Sequence, residues 1–133
     1  MKTISSKSSV AQVLATALFT GAALFALTQA TPARADAASG KNDFAVCAAC
    51  HSTTGSDGVG PHLNGVVGRQ SGSVAGFNYS RAMKQANIVW DDKTLGAFLT
   101  NPQAAVPGNH MPFSGLQDPT QRADVIAYLQ SLH

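Results

Sequence analysis

The chain of 133 residues is poor in cysteine and in charge. Its two cysteines are Cys47 and Cys50. The histidines after His51 form no second pair of ligands, so a four-ligand zinc site would lack half of its ligands. No Ser/His/Asp arrangement suggests nucleophilic catalysis, and no glycine-rich loop of the phosphate-binding kind is present. These absences argue against a zinc protein, a hydrolase and a nucleotide-dependent enzyme.

Long apolar runs are missing after residue 35, where no stretch is apolar enough to span a membrane. The beginning of the chain differs. Two lysines precede an apolar run from Val10 to Leu27, and Ala33-Arg34-Ala35 then forms the small-x-small pattern of a cleavage site. We predict a secretory signal peptide over residues 1–35, followed by one domain over residues 36–133.

Cleavage would fall between Ala35 and Asp36. The alternative is an uncleaved anchor, because the apolar run is near the shortest length that spans a membrane. The net charge of the whole chain is +2, but three of its nine basic residues lie in the predicted signal peptide. The domain then carries six basic residues and seven aspartates, so its net charge does not favour binding to nucleic acid.

The most informative stretch is Cys47-Ala48-Ala49-Cys50-His51. Two cysteines separated by two residues and followed by histidine form the attachment pattern of c-type haem. Each thiol adds to one vinyl group, and the histidine is placed to bind the iron. A thioredoxin-like dithiol would need a βαβ pattern around the motif, and half a zinc site would need two more ligands. We predict one covalently bound haem c, held by Cys47, Cys50 and His51.

Hydrophobic periodicity predicts helices and gives no convincing strand. An opening helix is expected over residues 36–50, rich in alanine with an apolar face. Gly40 is costly inside a helix, which indicates either a close crossing with another element or a frayed first turn. A short helix is expected from Tyr79 to Gln85.

Two further helices have clear start signals. Asp91 is the predicted N-cap of a helix that ends near Asn101, since a proline follows. Asp118 is the predicted N-cap of the last helix, with Pro119 at its first position and Gln121 at the spacing of a capping box. The predicted fold class is all-α, with three main helices and long loops wrapped around one haem.

A second axial ligand can come from either of two methionines in the domain. Met83 lies in the predicted short helix, where methionine usually fills a core. Met111 lies in the proline-bounded stretch Pro107 to Phe113, where no apolar stripe needs it. Met111 is therefore the stronger candidate.

From Gly40 to Leu132 the chain closely resembles the class I c-type cytochromes. The motifs that carry the resemblance stand in the family's order: Cys47 to His51, Pro61, Gly68-Arg69, Gly76-Phe77-Asn78-Tyr79, Trp90, Pro107 to Phe113, and Arg122 to Leu129. The resemblance implies the cytochrome c fold. It also implies that Pro61 accepts a hydrogen bond from His51, that Met111 binds the iron, and that haem propionates are held by Arg69, Tyr79 and Trp90.

The chain departs from the family at three positions near the predicted methionine ligand. Phe98 stands where relatives often have tyrosine, and Met83 where they often have asparagine. His110 replaces the lysine that often precedes the ligand methionine. His62 and His133 are expected at the surface. These departures change the hydrogen bonds that tune the reduction potential.

The resemblance implies a soluble periplasmic electron carrier of a respiratory chain, not an enzyme. Its expected partners are membrane or periplasmic redox proteins that donate and accept electrons, with no nucleic acid, no substrate at the iron and a monomeric state. A haem enzyme or gas-binding sensor is the alternative if Met111 leaves the distal position open. A membrane-tethered redox module is the alternative if residues 1–35 are retained.

Overall fold

The computed structural model describes residues 34–133, so all but the last two residues of the predicted signal peptide lie outside it. Within this range the chain forms helices and no strand, apart from one isolated antiparallel bridge. The helices are α1 (Ala37–Asp43), α2 (Ala45–Ala48), α3 (Arg81–Gln85), α4 (Asp92–Thr100), α5 (Pro102–Ala105) and α6 (Pro119–Gln130). In this part of the chain no helix has the length and apolar character needed to cross a membrane. The predicted all-α class is confirmed.

Asp36 caps the N-terminus of α1. Both carboxylate oxygens of Asp36 accept hydrogen bonds, from the backbone N–H groups of Ala38 and Ser39 at 3.1 and 3.0 Å. The alternative of a frayed first turn is therefore wrong. The single helix predicted over residues 36–50 is also wrong, because it divides at Phe44, where the N–H of Cys47 bonds to a carbonyl only three residues earlier.

Gly40 marks the close crossing of α1 and α6. It is buried, and a Cβ atom there would overlap the backbone carbonyl oxygen of Asp124. One turn later the ring of Phe44 meets the ring of Tyr128 edge-on, with centroids 5.3 Å apart. The predicted close crossing at Gly40 is confirmed, its partner is α6, and it requires glycine at position 40.

The N-terminus of α4 is a reciprocal capping box. The Asp91 carboxylate accepts from the N–H of Thr94 at 2.7 Å, and the Thr94 hydroxyl accepts from the N–H of Asp91 at 2.8 Å. The helix ends at Thr100, as predicted, but α5 follows at once and was not predicted. Asn101 caps α5 by accepting from the N–H of Ala104 at 3.0 Å.

The last helix has the predicted cap but not the predicted box. Asp118 accepts from the N–H groups of Thr120 and Gln121 at 2.7 and 3.3 Å. The Gln121 side chain does not return to Asp118; it donates to the Asp43 carboxylate at 3.4 Å, because the end of α1 lies within its reach. Helices α4 and α6 pack together through buried Leu95, Phe98, Leu99, Val125, Ile126 and Leu129.

Candidate cofactor site

The helices and the loops between them enclose a cavity of about 480 Å³. This volume is in the range of pockets that hold small molecules and cofactors, about 300–1,000 Å³. Among the described residues on its wall there is no lysine, arginine or aspartate. Most of the predicted site residues line it: Cys47, Cys50, His51, Pro61, Tyr79, Trp90 and Met111.

The two cysteines lie on α2 and on the turn that follows it. Both side chains are half-buried. Burial raises the pKa of the Cys47 thiol, and the neighbouring Cys50 adds to the rise. A catalytic dithiol of the thioredoxin kind has a lowered thiol pKa instead. Within residues 34–133, moreover, no three His, Cys, Asp or Glu side chains come together as a metal site, so neither the dithiol nor the zinc alternative gains support.

The His51 ring is fixed by the next segment of chain. Its Nδ1 lies 2.7 Å from the carbonyl oxygen of Pro61. A carbonyl can only accept, so Nδ1 carries the proton and Nε2 keeps a lone pair that can bind a metal. A Cβ atom on Gly60 would lie 2.6 Å from Nδ1, so a larger residue at this position would displace the ring.

Met111 lies in a loop held by its neighbour Asn109, which the sequence analysis missed. Asn109 is buried, and its Nδ2 donates to the carbonyl oxygens of Pro102 and Val106 at 2.8 and 2.9 Å. Its Oδ1 accepts from the N–H of Met111 at 2.9 Å. The other candidate ligand, Met83 of α3, lines the same cavity, so lining alone does not choose between the two methionines.

The two predicted propionate contacts that line the cavity are aromatic. Trp90 is buried, and its ring lies 5.1 Å from that of Phe98. Tyr79 is half-buried and packs edge-on against Phe77, with ring centroids 4.7 Å apart. Burial raises the pKa of its phenol. Trp90 is positioned by its backbone N–H, which donates to the carbonyl oxygen of Arg69 at 2.9 Å.

Arg69 itself does not line the cavity. Its guanidinium donates to the carbonyl oxygens of His62 and Asn64 at 2.7 and 3.3 Å. His62, which is expected at the surface, has a ring that is 22% exposed, and its Nδ1 lies 2.7 Å from the Asp57 carboxylate. Hydrogen bonds from the backbone and ring of His62 hold the pKa of Asp57 below its usual value.

The residues fit a large apolar plate better than a hydrated ion. The wall offers two thiols, the imidazoles of His51 and His110, and two thioethers, which are soft or borderline donors, and few oxygens that a hard cation would need. Covalent attachment of haem through two neighbouring thiols uses all of these features: the apolar walls, the paired cysteines and the oriented imidazole.

Comparison with known proteins agrees with this site. A model of the cytochrome c family, described as "Cytochrome c", matches residues 37–133. Cytochrome c2 of Rhodomicrobium vannielii is 48% identical over 103 residues, which cover 76% of this chain and 82% of that protein. Cytochrome c of Nigella damascena is 45% identical over 98 residues, covering 71% of this chain and 88% of that protein.

A solved structure is similar as well. Cytochrome cH from Methylobacterium extorquens is 43% identical and matches with a TM-score of 0.70, covering 72% of this chain and 98% of that one. The predicted fold and the predicted cofactor, haem c bound covalently at Cys47 and Cys50, are confirmed by these matches. The chain is a class I c-type cytochrome and belongs to the cytochrome c family.

Proposed function

We propose that the chain is an exported electron carrier in which His51 and Met111 are the two axial ligands of the haem iron. Membership of the cytochrome c family supports electron transfer as its activity, without an enzymatic reaction. One observation carries the choice of ligands. Both residues line one apolar cavity, Pro61 orients the His51 ring, and Asn109 holds Met111 in a loop, whereas Met83 belongs to α3.

Bound haem c supplies the chemistry, a one-electron change of its iron between the ferric and ferrous states. The Pro61 carbonyl keeps the proton of His51 on Nδ1 and leaves Nε2 for the iron. Such a hydrogen bond also raises the basicity of a ligand imidazole. We propose that Arg69 supports this arrangement indirectly, because it holds the carbonyl next to Pro61. Tyr79 and Trp90 remain proposed contacts of the propionates.

Met111 would supply a thioether on the other side. A thioether ligand favours the ferrous state and raises the reduction potential. If His51 and Met111 both bind the iron, neither substrate nor gas would find an open position on it. Asn109 ties the Met111 loop to α5, so it would hold the ligand in place and limit the rearrangement that opposes electron transfer.

The cavity wall around the proposed ligands is apolar. Phe98 is 7% exposed and has no hydroxyl to donate to the sulfur of Met111. Met83 adds a second thioether and no amide. Such a wall excludes water and disfavours the extra positive charge of the ferric state. It therefore acts in the same direction as the thioether ligand, toward a higher potential.

The ferric absorption spectrum of the purified protein tests this proposal. A low-spin spectrum with the weak red band of a methionine–iron bond is expected. A high-spin spectrum without that band would contradict His/Met ligation and favour a haem enzyme or gas-binding sensor.

We also propose that residues 1–35 are a cleaved signal peptide and that the protein, residues 36–133, works as a monomer in the periplasm. Its partners would be redox proteins of the membrane or periplasm that donate and accept electrons. Bacterial relatives named cytochrome c2 support this location. Mass spectrometry of the haem-loaded protein from its host is the test. A mass that includes residues 1–35 would indicate a membrane-tethered module instead.

A further inference from the structure

The backbone nitrogen of Asp36 lies 2.7 Å from a carboxylate oxygen of Asp124. Asp124 belongs to α6 and is only 8% exposed. In the part of the chain that the structure describes, the one ion pair joins His62 and Asp57, so no side-chain cation faces the Asp124 carboxylate. Its partner here is a neutral amide N–H, which offsets the cost of burying a charge less well than a cation does.

The same nitrogen belongs to the peptide bond at which the signal peptide is predicted to end. Hydrolysis between Ala35 and Asp36 adds one water across that bond. Ala35 leaves with the carboxylate, and the nitrogen of Asp36 takes protons and becomes an α-ammonium group. The Asp124 carboxylate, which has no cationic partner in the uncut chain, would then have a positive charge at hydrogen-bond distance. The chain would not need to move.

We propose that processing between Ala35 and Asp36 creates an ion pair between the new α-ammonium group and the Asp124 carboxylate, and that this pair fastens α1 to α6 only in the mature protein. This inference rests on the proposed export of the chain and is independent of the haem ligands. Its failure would therefore leave the proposed electron transfer intact.

The surroundings of the pair are consistent with this role. A positive charge at the start of a helix is unfavourable by itself, because the helix dipole is positive there. Two carboxylates offset this positive charge, since Asp124 contacts the nitrogen and the Asp36 side chain caps the same turn. The pair also lies at the tightest part of the crossing, where Gly40 touches the backbone of Asp124.

The test compares two N-terminal forms of the haem-loaded mature protein, the free amine and an enzymatically Nα-acetylated form that keeps the N–H but loses the charge. In the wild-type sequence we expect acetylation to lower the melting temperature by about 4 °C or more, the shift typical of losing one sizeable interaction in a small domain. In Asp124→Asn, whose amide oxygen can still accept, acetylation should have less than half that effect. Equal effects in both backgrounds would overturn the inference.

Asp43→Asn is the matched control, because it removes a carboxylate at the far end of α1. Acetylation should destabilise that variant as much as the wild type. If Asp124→Asn fails to fold, amine-labelling kinetics on the wild-type protein decide the matter. The α-amine should react at least about tenfold more slowly when folded than when denatured, while exposed Lys41 changes little. Labelling of the α-amine at an unchanged rate, or a mature N-terminus other than Asp36, would refute the proposed pair.

Discussion

The side chain of Asn109 accepts a hydrogen bond from the backbone N–H of Met111 at 2.9 Å and donates two more to the carbonyls of Pro102 and Val106. One buried amide thus connects α5 to the loop that carries the proposed iron ligand. Asn109 is 6% exposed, so water cannot readily replace these bonds. The position of Met111 therefore depends on Asn109.

Replacing Asn109 with alanine should loosen the Met111 loop. The change leaves buried backbone groups without partners and should cost about 1–3 kcal/mol of unfolding free energy. In a urea titration we expect the red methionine–iron band to disappear before global unfolding. Gln103→Ala is the control, since it removes only an exposed side chain's bond to the Asn109 carbonyl. A band that persists to the same urea concentration in Asn109→Ala would contradict this role.

Two glycines in helices should respond oppositely to alanine. Gly40→Ala places a methyl group against the backbone of Asp124 and should destabilise the protein by about 1–3 kcal/mol. Gly96→Ala in α4 meets only a side-chain atom of Ile126, at 3.9 Å, and should stabilise it by up to about 1 kcal/mol through helix propensity. Urea unfolding of both haem-loaded variants measures the difference. If Gly40→Ala is no more destabilising than Gly96→Ala, the close crossing with α6 does not explain the need for glycine at position 40.

Features set by neighbours in the sequence were predictable. The caps at Asp91 and Asp118 and the apolar stripe of α4 depend on residues a few positions apart, and all three are present. The attachment motif is equally local. The resemblance to a family supplied what local rules lack, namely that segments far apart in the chain meet at one cofactor.

Features that depend on contacts between residues far apart in the sequence were not predicted. Gln121 has the spacing of a capping box but donates to Asp43, 78 positions away.

Helix α5 has a local signal, because Asn101 followed by Pro102 is also a cap with proline at the first helical position. The same two residues fit the end of α4, and the sequence analysis uses them only for that. Asn109 gave no signal in its spacing, since its role depends on the loop being buried.

Folding should depend on the haem. Without the haem, the apolar wall of the cavity of about 480 Å³ has no partner to pack against, so much of the core is missing. We therefore expect the double variant Cys47→Ala/Cys50→Ala, prepared without haem, to show little fixed helix by circular dichroism. The haem-loaded wild type is the control. A cooperative, native-like melt of the haem-free protein would contradict the dependence of folding on haem.

Electron transfer with a partner should depend only weakly on salt. Exposed Val46 and Val59 lie at the cavity, and no lysine, arginine or aspartate lines it among the described residues. Raising the ionic strength from low to physiological should therefore change the bimolecular rate, measured by stopped flow with the native partner, only modestly. A fall of about tenfold or more would indicate electrostatic steering by a basic patch.

Charge variants make this test sharper. Val59→Lys places a charge beside the cavity and should make the rate more sensitive to salt. Val89→Lys is the matched control, because Val89 is also exposed but does not line the cavity. If both variants change the salt dependence equally, the docking surface is not centred on the cavity.

The identity of the second axial ligand is the central claim, and the ferric spectra of Met111→Ala and Met83→Leu test it most directly. Both methionines line the cavity, but only Met111 lies in the loop held by Asn109. If Met111 is the ligand, Met111→Ala should keep its covalent haem, become high-spin, lose the red band and have a lower reduction potential. Met83→Leu should remain low-spin with the band intact. A high-spin Met83→Leu beside a low-spin Met111→Ala would contradict ligation by Met111.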